Sequence, residues 1–186
     1  MKLTIVPFES LPPGPLPREV ATRLRGILPW RFVVAAPQPD PPAVDTAGAL
    51  DAELLLSLLP RSHRHDELTV ALTGCDLTAR ELGPVFGYAA PHLYAACVSL
   101  HRLTDGTQGR RGGRRLLAER AAKEILHEAG HLMGLPHCER AGCVMQYSQT
   151  LHDTDIKGCR FCAECLREMS RLPEPAAEAG GGDDGL

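Results

Sequence analysis

Residues 127–138 read HEAGHLMGLPHC, and this stretch decides how the rest of the chain is interpreted. Residues four apart share one face of a helix, so His127 and His131 can bind one metal ion together. Glu128 directly follows the first histidine, and its carboxylate can reach a water on that metal without binding the metal itself. The order of these residue types therefore predicts a metal site on a helix.

Gly134 supplies the exit from that helix. Glycine adopts a positive φ without steric cost, so the chain can reverse there and bring His137 up as a third ligand. Three protein ligands leave the fourth tetrahedral position of a zinc ion for water, which distinguishes a catalytic from a structural zinc site. The pattern predicts a hydrolytic zinc site, and the alternative is a polar helix face that carries surface histidines.

Four further cysteines form a second group. They are two closely spaced pairs separated by a loop: Cys138 and Cys143, then Cys162 and Cys165. Such a set is typical of a closed four-cysteine zinc site, which is structural because no coordination position stays open. We expect it to fix the segment after the third histidine against a C-terminal helix near residues 164–171. Cys159 also forms a C-x-x-C pair with Cys162, so it is an alternative ligand or a spare, redox-sensitive thiol.

Composition excludes several classes of protein. A length of 186 residues is enough for one domain with its own core. A net charge of −3 and an aromatic content of 4% give no basis for a nucleic-acid surface. No apolar run reaches the length of a membrane span, and residues 1–7 are too short and alternating for a signal peptide. Seven cysteines without a secretory signal favour reduced thiols or metal ligands. We therefore expect a cytoplasmic monomer that binds neither nucleic acid nor membranes.

Strand and helix patterns alternate along the chain. Short β-rich runs predict strands over residues 3–7, 31–36, 67–73 and 93–100. Apolar periodicity predicts a helix carrying Val20, Leu24 and Leu28, a second helix over residues 51–59 and a long metal-bearing helix over residues 115–133. This alternation predicts an α/β (α+β) fold with a mostly parallel sheet.

Two segments have compositions that do not suit a core. Residues 104–113 are rich in Gly and Arg and predict a solvated loop. Residues 173–186 contain mainly Pro, Ala, Glu, Gly and Asp, which predicts a disordered tail. The expected organisation is one domain over residues 1–172 followed by that tail.

With both ligand groups in view, the chain resembles the archaemetzincins, zinc metallopeptidases of the metzincin clan. Their pattern runs H-E-x-x-H-x-x-G-x-x-H-C-x-x-x-x-C-x-M and is followed after a loop by C-x-x-C. The matching residues are His127, Glu128, His131, Gly134, His137, Cys138, Cys143, Met145, Cys162 and Cys165. The match is close over residues 123–165 and loose over residues 1–60. The resemblance implies a compact metzincin-like domain with a twisted mixed sheet, a long active-site helix and a Met-turn beneath the catalytic zinc.

The resemblance also suggests roles for two residues after the histidines. Met145 matches the Met-turn residue, whose thioether packs under the three histidines and is not a ligand. Tyr147 stands where relatives often carry phenylalanine. In astacin-like metzincins a tyrosine at this place binds the resting zinc and later stabilises the transition state. We therefore hypothesise that the Tyr147 hydroxyl approaches the catalytic zinc or its bound water, and an aromatic packing role is the alternative.

The sequence thus predicts a peptidase that hydrolyses peptide bonds with a zinc-activated water and Glu128 as the general base. Two Zn²⁺ ions are the expected cofactors, and a peptide or protein is the expected substrate. The substrate would lie extended along an edge strand, for which residues 93–100 are the candidate. The alternative is a catalytically weak or inactive, zinc-stabilised peptide- or protein-binding module. The sequence is compatible with aminopeptidase and with endopeptidase activity.

Overall fold

The computed structural model describes residues 1–42, 48–60, 64, 66–104 and 112–170. The strands are β1 (Lys2–Pro7), β2 (Arg31–Val34), β3 (Leu50–Asp51), β4 (Glu67–Thr73), β5 (Leu77–Ala79), β6 (Gly83–Val85), β7 (Gly87–Ala90) and β8 (Ala95–Ser99). The helices are α1 (Leu16–Arg25), α2 (Ala52–Ser57), α3 (Gly113–Leu132), α4 (Leu151–Ile156) and α5 (Ala163–Met169).

Five of these strands form a central sheet in the order β2-β1-β4-β8-β7. The first four run parallel to one another, and β7 pairs antiparallel with β8. Strands β3, β5 and β6 form a separate small sheet. The expected α/β class with a mixed, mostly parallel sheet is confirmed.

Alternate side chains of the central strands enter two different cores. Leu3 and Ile5 pack in the core that contains α1 and α3. Val6 and Ala71 pack on the opposite face, in the core that contains α2 and β5. Because both faces of the sheet are covered, the parallel strands are apolar along most of their length.

The predicted elements differ from the observed ones at their ends, and several observed elements were not predicted, namely β3, β5, β6, β7 and α4. β4 has the predicted bounds, whereas β2 ends at Val34 and α3 covers 113–132. Residues 93–100 do not form a continuous strand, because a 3-10 turn over Pro91–Leu93 is followed by Tyr94 at φ 50°. β7 was not predicted, since its sequence Gly-Tyr-Ala-Ala contains few residues that favour strands.

The prediction that residues 93–100 supply the free edge of the sheet is wrong. β8 is hydrogen-bonded to β4 on one side and to β7 on the other. The chain adds β7 outside β8 before it returns through the 3-10 turn, so β7 occupies the edge next to α3. Only the pairing of the folded chain reveals this order.

Some sequence-based predictions concern residues that the structure does not describe. The tail predicted over residues 173–186 and the domain end at residue 172 lie outside the described residues, as does most of the loop predicted over residues 104–113. In the part of the chain that the structure describes, no helix is both long and apolar enough to cross a bilayer.

Candidate active site

Helix α3 carries the predicted ligands and is buried on nearly every side. Leu117, Ala121 and Ile125 belong to the core beside the central sheet. A second set of buried side chains on the helix is polar, namely Arg120, Lys123, Glu124, His127 and Glu128. Buried polar groups are costly unless they have partners, so this face of α3 must be matched by groups elsewhere in the fold.

Two carbonyl groups fix the imidazole rings of His127 and His131. Nδ1 of His127 lies 2.9 Å from the Val144 carbonyl oxygen, and Nδ1 of His131 lies 2.8 Å from that of Leu135. A carbonyl oxygen only accepts, so each Nδ1 donates its proton and each Nε2 keeps a free lone pair. The two Nε2 atoms are 3.1 Å apart, as expected for two donors that point at one ion.

The third histidine arrives through the end of α3. Gly134 has φ 83°, and the Leu135 amide donates to the Gly130 carbonyl oxygen at 2.9 Å, which closes the helix with a left-handed cap. The chain then reverses and places the His137 ring 5.2 Å from that of His127. The predicted turn at Gly134 and the predicted convergence of the three rings are both present.

The three imidazoles fit a zinc ion. Their donor atoms lie within 4.8 Å of one another. A tetrahedral zinc ion with nitrogen ligands at about 2.0–2.1 Å would place those nitrogens roughly 3.3 Å apart. Burial lowers the pKa of all three histidines, with that of His127 at about 3, so the rings are neutral and able to bind a cation at neutral pH. His137 is exposed, which gives the site an open side.

Glu128 follows His127 on α3, and 4% of its surface is exposed. Burial, together with the nearby Glu124 carboxylate, raises the pKa of Glu128 to about 8, and the Lys157 ammonium opposes this effect. A cation bound at the histidines would favour the ionised form of Glu128, because an adjacent positive charge stabilises a carboxylate.

Met145 and Tyr147 lie on the segment that crosses beneath the histidines. Met145 is fully buried, and its sulfur contacts α3 at Gly130, between the two helical histidines. The ring of Tyr147 packs edge-on against His137, with centroids 5.0 Å apart. Since 63% of Tyr147 is exposed, it is not a buried packing residue.

A buried cluster of charges beside the site was not predicted. Lys157 Nζ lies 2.9 Å from Glu124 Oε1, and both side chains are almost completely buried. The Lys157 ammonium and the Glu124 carboxylate are not oriented for a hydrogen bond, so their contact is an ion pair only. The Thr154 hydroxyl donates to the same Glu124 oxygen at 2.9 Å. Glu124 could have been suspected because it precedes Glu128 by one helical turn, whereas nothing in the sequence singles out Lys157.

Two further side chains of α3 are hydrogen-bonded to α4, close to Lys157. Arg120 donates two hydrogen bonds of 2.7 Å to the Asp155 carboxylate. Lys123 donates to the carbonyl oxygens of Thr154 and Asp155 at 3.0 and 2.9 Å. Arg120, Lys123 and Glu124 of α3 therefore have their partners on α4 and the residue that follows it.

The four cysteines predicted as a second group converge as well. Their sulfur atoms lie within 4.8 Å of one another. The sulfurs of Cys138 and Cys162 are 3.9 Å apart, and those of Cys143 and Cys165 are 3.7 Å apart. Thiolates at about 2.3 Å from a tetrahedral zinc ion would be separated by roughly 3.8 Å, whereas a disulfide requires about 2.05 Å. The spacing thus fits zinc and not a disulfide.

A local hydrogen bond also supports a zinc site at the cysteines. The Cys165 amide donates to the Cys162 sulfur at the start of α5, which lowers the pKa of the Cys162 thiol to about 7 and favours the thiolate. Cys159 is exposed and does not belong to the four-sulfur group.

Comparisons with known proteins agree with this arrangement. Residues 51–171 match peptidase family M54. The chain is 44% identical over 103 residues to an archaemetzincin from Thermococcus kodakarensis, an alignment that covers 55% of each chain. The chain thus spans about half the length of that curated relative. It is also 32% identical over 174 residues to an archaemetzincin from Natronomonas pharaonis, covering 91% of this chain and 99% of that one.

Solved structures show the same fold. The crystal structure of an archaemetzincin from Archaeoglobus fulgidus, complexed with malonate, superposes with a TM-score of 0.76. The two sequences are 30% identical, and the superposition covers 90% of this chain and 99% of the other.

Proposed function

Since this chain belongs to peptidase family M54, the archaemetzincins, we propose that it hydrolyses peptide bonds at a zinc ion with Glu128 as the general base. The family resemblance inferred from the motifs is confirmed. The proposal for this chain's own chemistry is carried by one observation: three imidazoles converge, one of them exposed, on a helix that also carries the buried Glu128 carboxylate.

Three side chains would hold the zinc ion: His127, His131 and His137. When bound, zinc supplies a Lewis acid that lowers the pKa of water to about 7 and polarises a carbonyl group. The Val144 and Leu135 carbonyl groups hold the first two rings with Nε2 facing the ion's position. These hydrogen bonds fix the tautomer and ring orientation, which supports metal affinity.

Glu128 would move the protons. Its carboxylate accepts a proton from the attacking water and then donates it to the amine that leaves when the peptide bond breaks. One residue can perform both transfers because it regains its ionised form at the end of each cycle. The buried position of Glu128 keeps competing waters away from the carboxylate.

We propose β7 as the strand that binds substrate. Among the described residues no strand other than β8 pairs with it, and it contacts α3, so an extended peptide can add to it through main-chain hydrogen bonds. This replaces residues 93–100 of the sequence-based prediction. Tyr147 is proposed to act at the same site, because its exposed ring already contacts His137 and its hydroxyl is not buried in a core.

A second zinc ion is proposed at the four-cysteine group. Cys138 directly follows the third histidine, and Cys162 and Cys165 begin α5. An ion held by all four sulfurs would fix α5 and the Met145 segment to the chain leaving α3, and it would have no free position for catalysis. The thiol spacing supports this role.

We further propose a cytoplasmic monomer that acts on peptides or proteins, with the domain ending near residue 172. None of the seven cysteines is disulfide-bonded in the structure, which suits a reducing compartment.

The test is a peptide-library digest with the zinc-loaded protein, analysed by mass spectrometry. Glu128→Ala should retain its zinc and lose hydrolysis, because the carboxylate moves protons without binding the ion. Glu119→Ala is the matched control, since Glu119 lies on the same helix with its side chain 47% exposed. Wild-type activity in Glu128→Ala would contradict the mechanism. Peptide binding without cleavage by the wild type would favour the alternative, a zinc-stabilised binding module.

A further inference from the structure

The Glu128 carboxylate is buried, and the described residues give it no hydrogen-bond donor. Within residues 1–42, 48–60, 64, 66–104 and 112–170 no side chain or backbone group donates to it, although only 4% of the residue is exposed. A carboxylate that must meet a water within hydrogen-bond reach needs a defined position. That position must therefore come from the atoms packed around it.

One wall of this packing is a glycine on the edge strand. A Cβ atom on residue 87 would lie 2.5 Å from Glu128 Oε1 and 2.8 Å from both Cγ and Cδ. These distances are well inside the optimum of about 3.5–4.0 Å for non-bonded carbon atoms. The Glu128 side chain thus lies flat against the Cα of Gly87, in space that any other residue would occupy.

The need for glycine here is steric and does not come from the backbone. Gly87 does not have a positive φ, and it pairs with Val98 in regular antiparallel register. An alanine could adopt the same backbone conformation, so a substitution would act through its Cβ atom, whose three nearest atoms all belong to Glu128.

We infer that Gly87 is a positioning residue for catalysis, because its bare Cα sets the place of the Glu128 carboxylate against the substrate-binding edge strand. The inference rests on the proposed peptidase function. It also explains how one strand can serve two purposes: its outer edge is free for a peptide, and its face toward α3 bounds the general base.

The test is Gly87→Ala, measured by steady-state kinetics on a peptide that the wild type cleaves. We expect kcat to fall on the order of 10²-fold with little change in KM, as for a reacting group displaced by about 1 Å. Zinc content should stay at the wild-type value, because Gly87 is not a proposed ligand. Gly26→Ala is the control: its added Cβ atom would meet only the Arg23 carbonyl oxygen, at 3.3 Å, and no residue of the proposed active site, so it should keep wild-type kinetics.

A second background separates positioning from a general weakening of the strand. Glu128→Ala removes Oε1, Cδ and Cγ, the three atoms nearest to a Cβ atom on residue 87. In that background Gly87→Ala should lower the free energy of unfolding much less than in the wild type, whereas a general weakening of the strand predicts the same loss in both. Wild-type kcat in Gly87→Ala, or an equal loss of unfolding free energy in both backgrounds, would overturn the inference.

The crystal structure of Gly87→Ala gives a readout that does not depend on activity. A displaced Glu128 carboxylate supports the inference, and an unmoved one overturns it, even if the wild type cleaves no peptide and the proposed function fails. If Gly87→Ala does not fold, Glu128→Ala should restore folding by removing the clashing atoms. Failure of that rescue would also count against the role assigned to Gly87.

Discussion

Replacing Lys157 by methionine removes the ammonium group that lies 2.9 Å from the buried Glu124 carboxylate. The two side chains are 1% and 3% exposed, so neither charge can regain water without opening the structure. Methionine has a similar length and fills the same space with apolar atoms. The change therefore isolates the loss of the counter-charge.

The expected cost follows from this burial. Removing one partner of a buried ion pair leaves an uncompensated charge and costs about 3–5 kcal/mol. The Thr154 hydroxyl still donates to Glu124, which keeps the estimate within that range. At about 2–4 °C per kcal/mol for a chain of this size, the melting temperature should fall by roughly 6–20 °C.

The assay is urea unfolding followed by circular dichroism, with free zinc held constant because a bound ion adds to stability. The double variant Lys157→Met with Glu124→Gln should recover most of the loss, since both charges are then absent. Lys2→Met serves as the control: Lys2 pairs with Glu67 at the surface, with side chains 35% and 37% exposed, and should change stability by less than about 1 kcal/mol.

Two results would refute this reasoning. A loss below about 1 kcal/mol for Lys157→Met would mean that the ammonium does not compensate Glu124. A double variant as unstable as the single one would mean that the lysine acts through packing and not through charge.

Three further predictions concern the metal sites and their surroundings. The wild type should contain two zinc ions by mass spectrometry of the metal, and His137→Ala and Cys143→Ser should each contain one; two ions in either variant would contradict the ligand assignment. Tyr147→Phe should lower kcat on the order of 10²-fold at unchanged zinc content, as for the loss of one donor to the transition state, and unchanged kcat would leave Tyr147 without a catalytic role. Gly130→Ala should reduce the free energy of unfolding by about 1–3 kcal/mol in urea, because its Cβ atom would overlap the Met145 sulfur, whereas a neutral effect would show that the Met145 segment is loosely packed.

Several elements of the site could be predicted because their geometry is local. The spacing of His127 and His131 places both on one helix face, and Gly134 permits the positive φ that brings the third histidine back. The second pair of cysteines could be predicted in the same way, since Cys162 and Cys165 occupy the first turn of α5. In each case the geometry depends only on a short run of consecutive residues.

The order of the strands in the sheet was harder to predict from the sequence. The sequence favoured residues 93–100 as an edge because they precede the metal-bearing helix, but the small residues of β7 gave no signal of a further strand. The pairing of β7 with β8 depends on where the chain returns after β6, which is a property of the packed sheet.

The sequence by itself indicated the ligand residues of both proposed metal sites and the proposed general base, since short-range spacing on a helix or a turn defines them. Only the tertiary structure decided which groups surround Glu128: the bare Cα of Gly87 on the edge strand, and the Lys157–Glu124 pair behind it. These residues are far apart along the chain and carry no shared motif. Their proximity arises from burial of α3 between the sheet and α4, where sterics and unscreened charge act over a few ångströms.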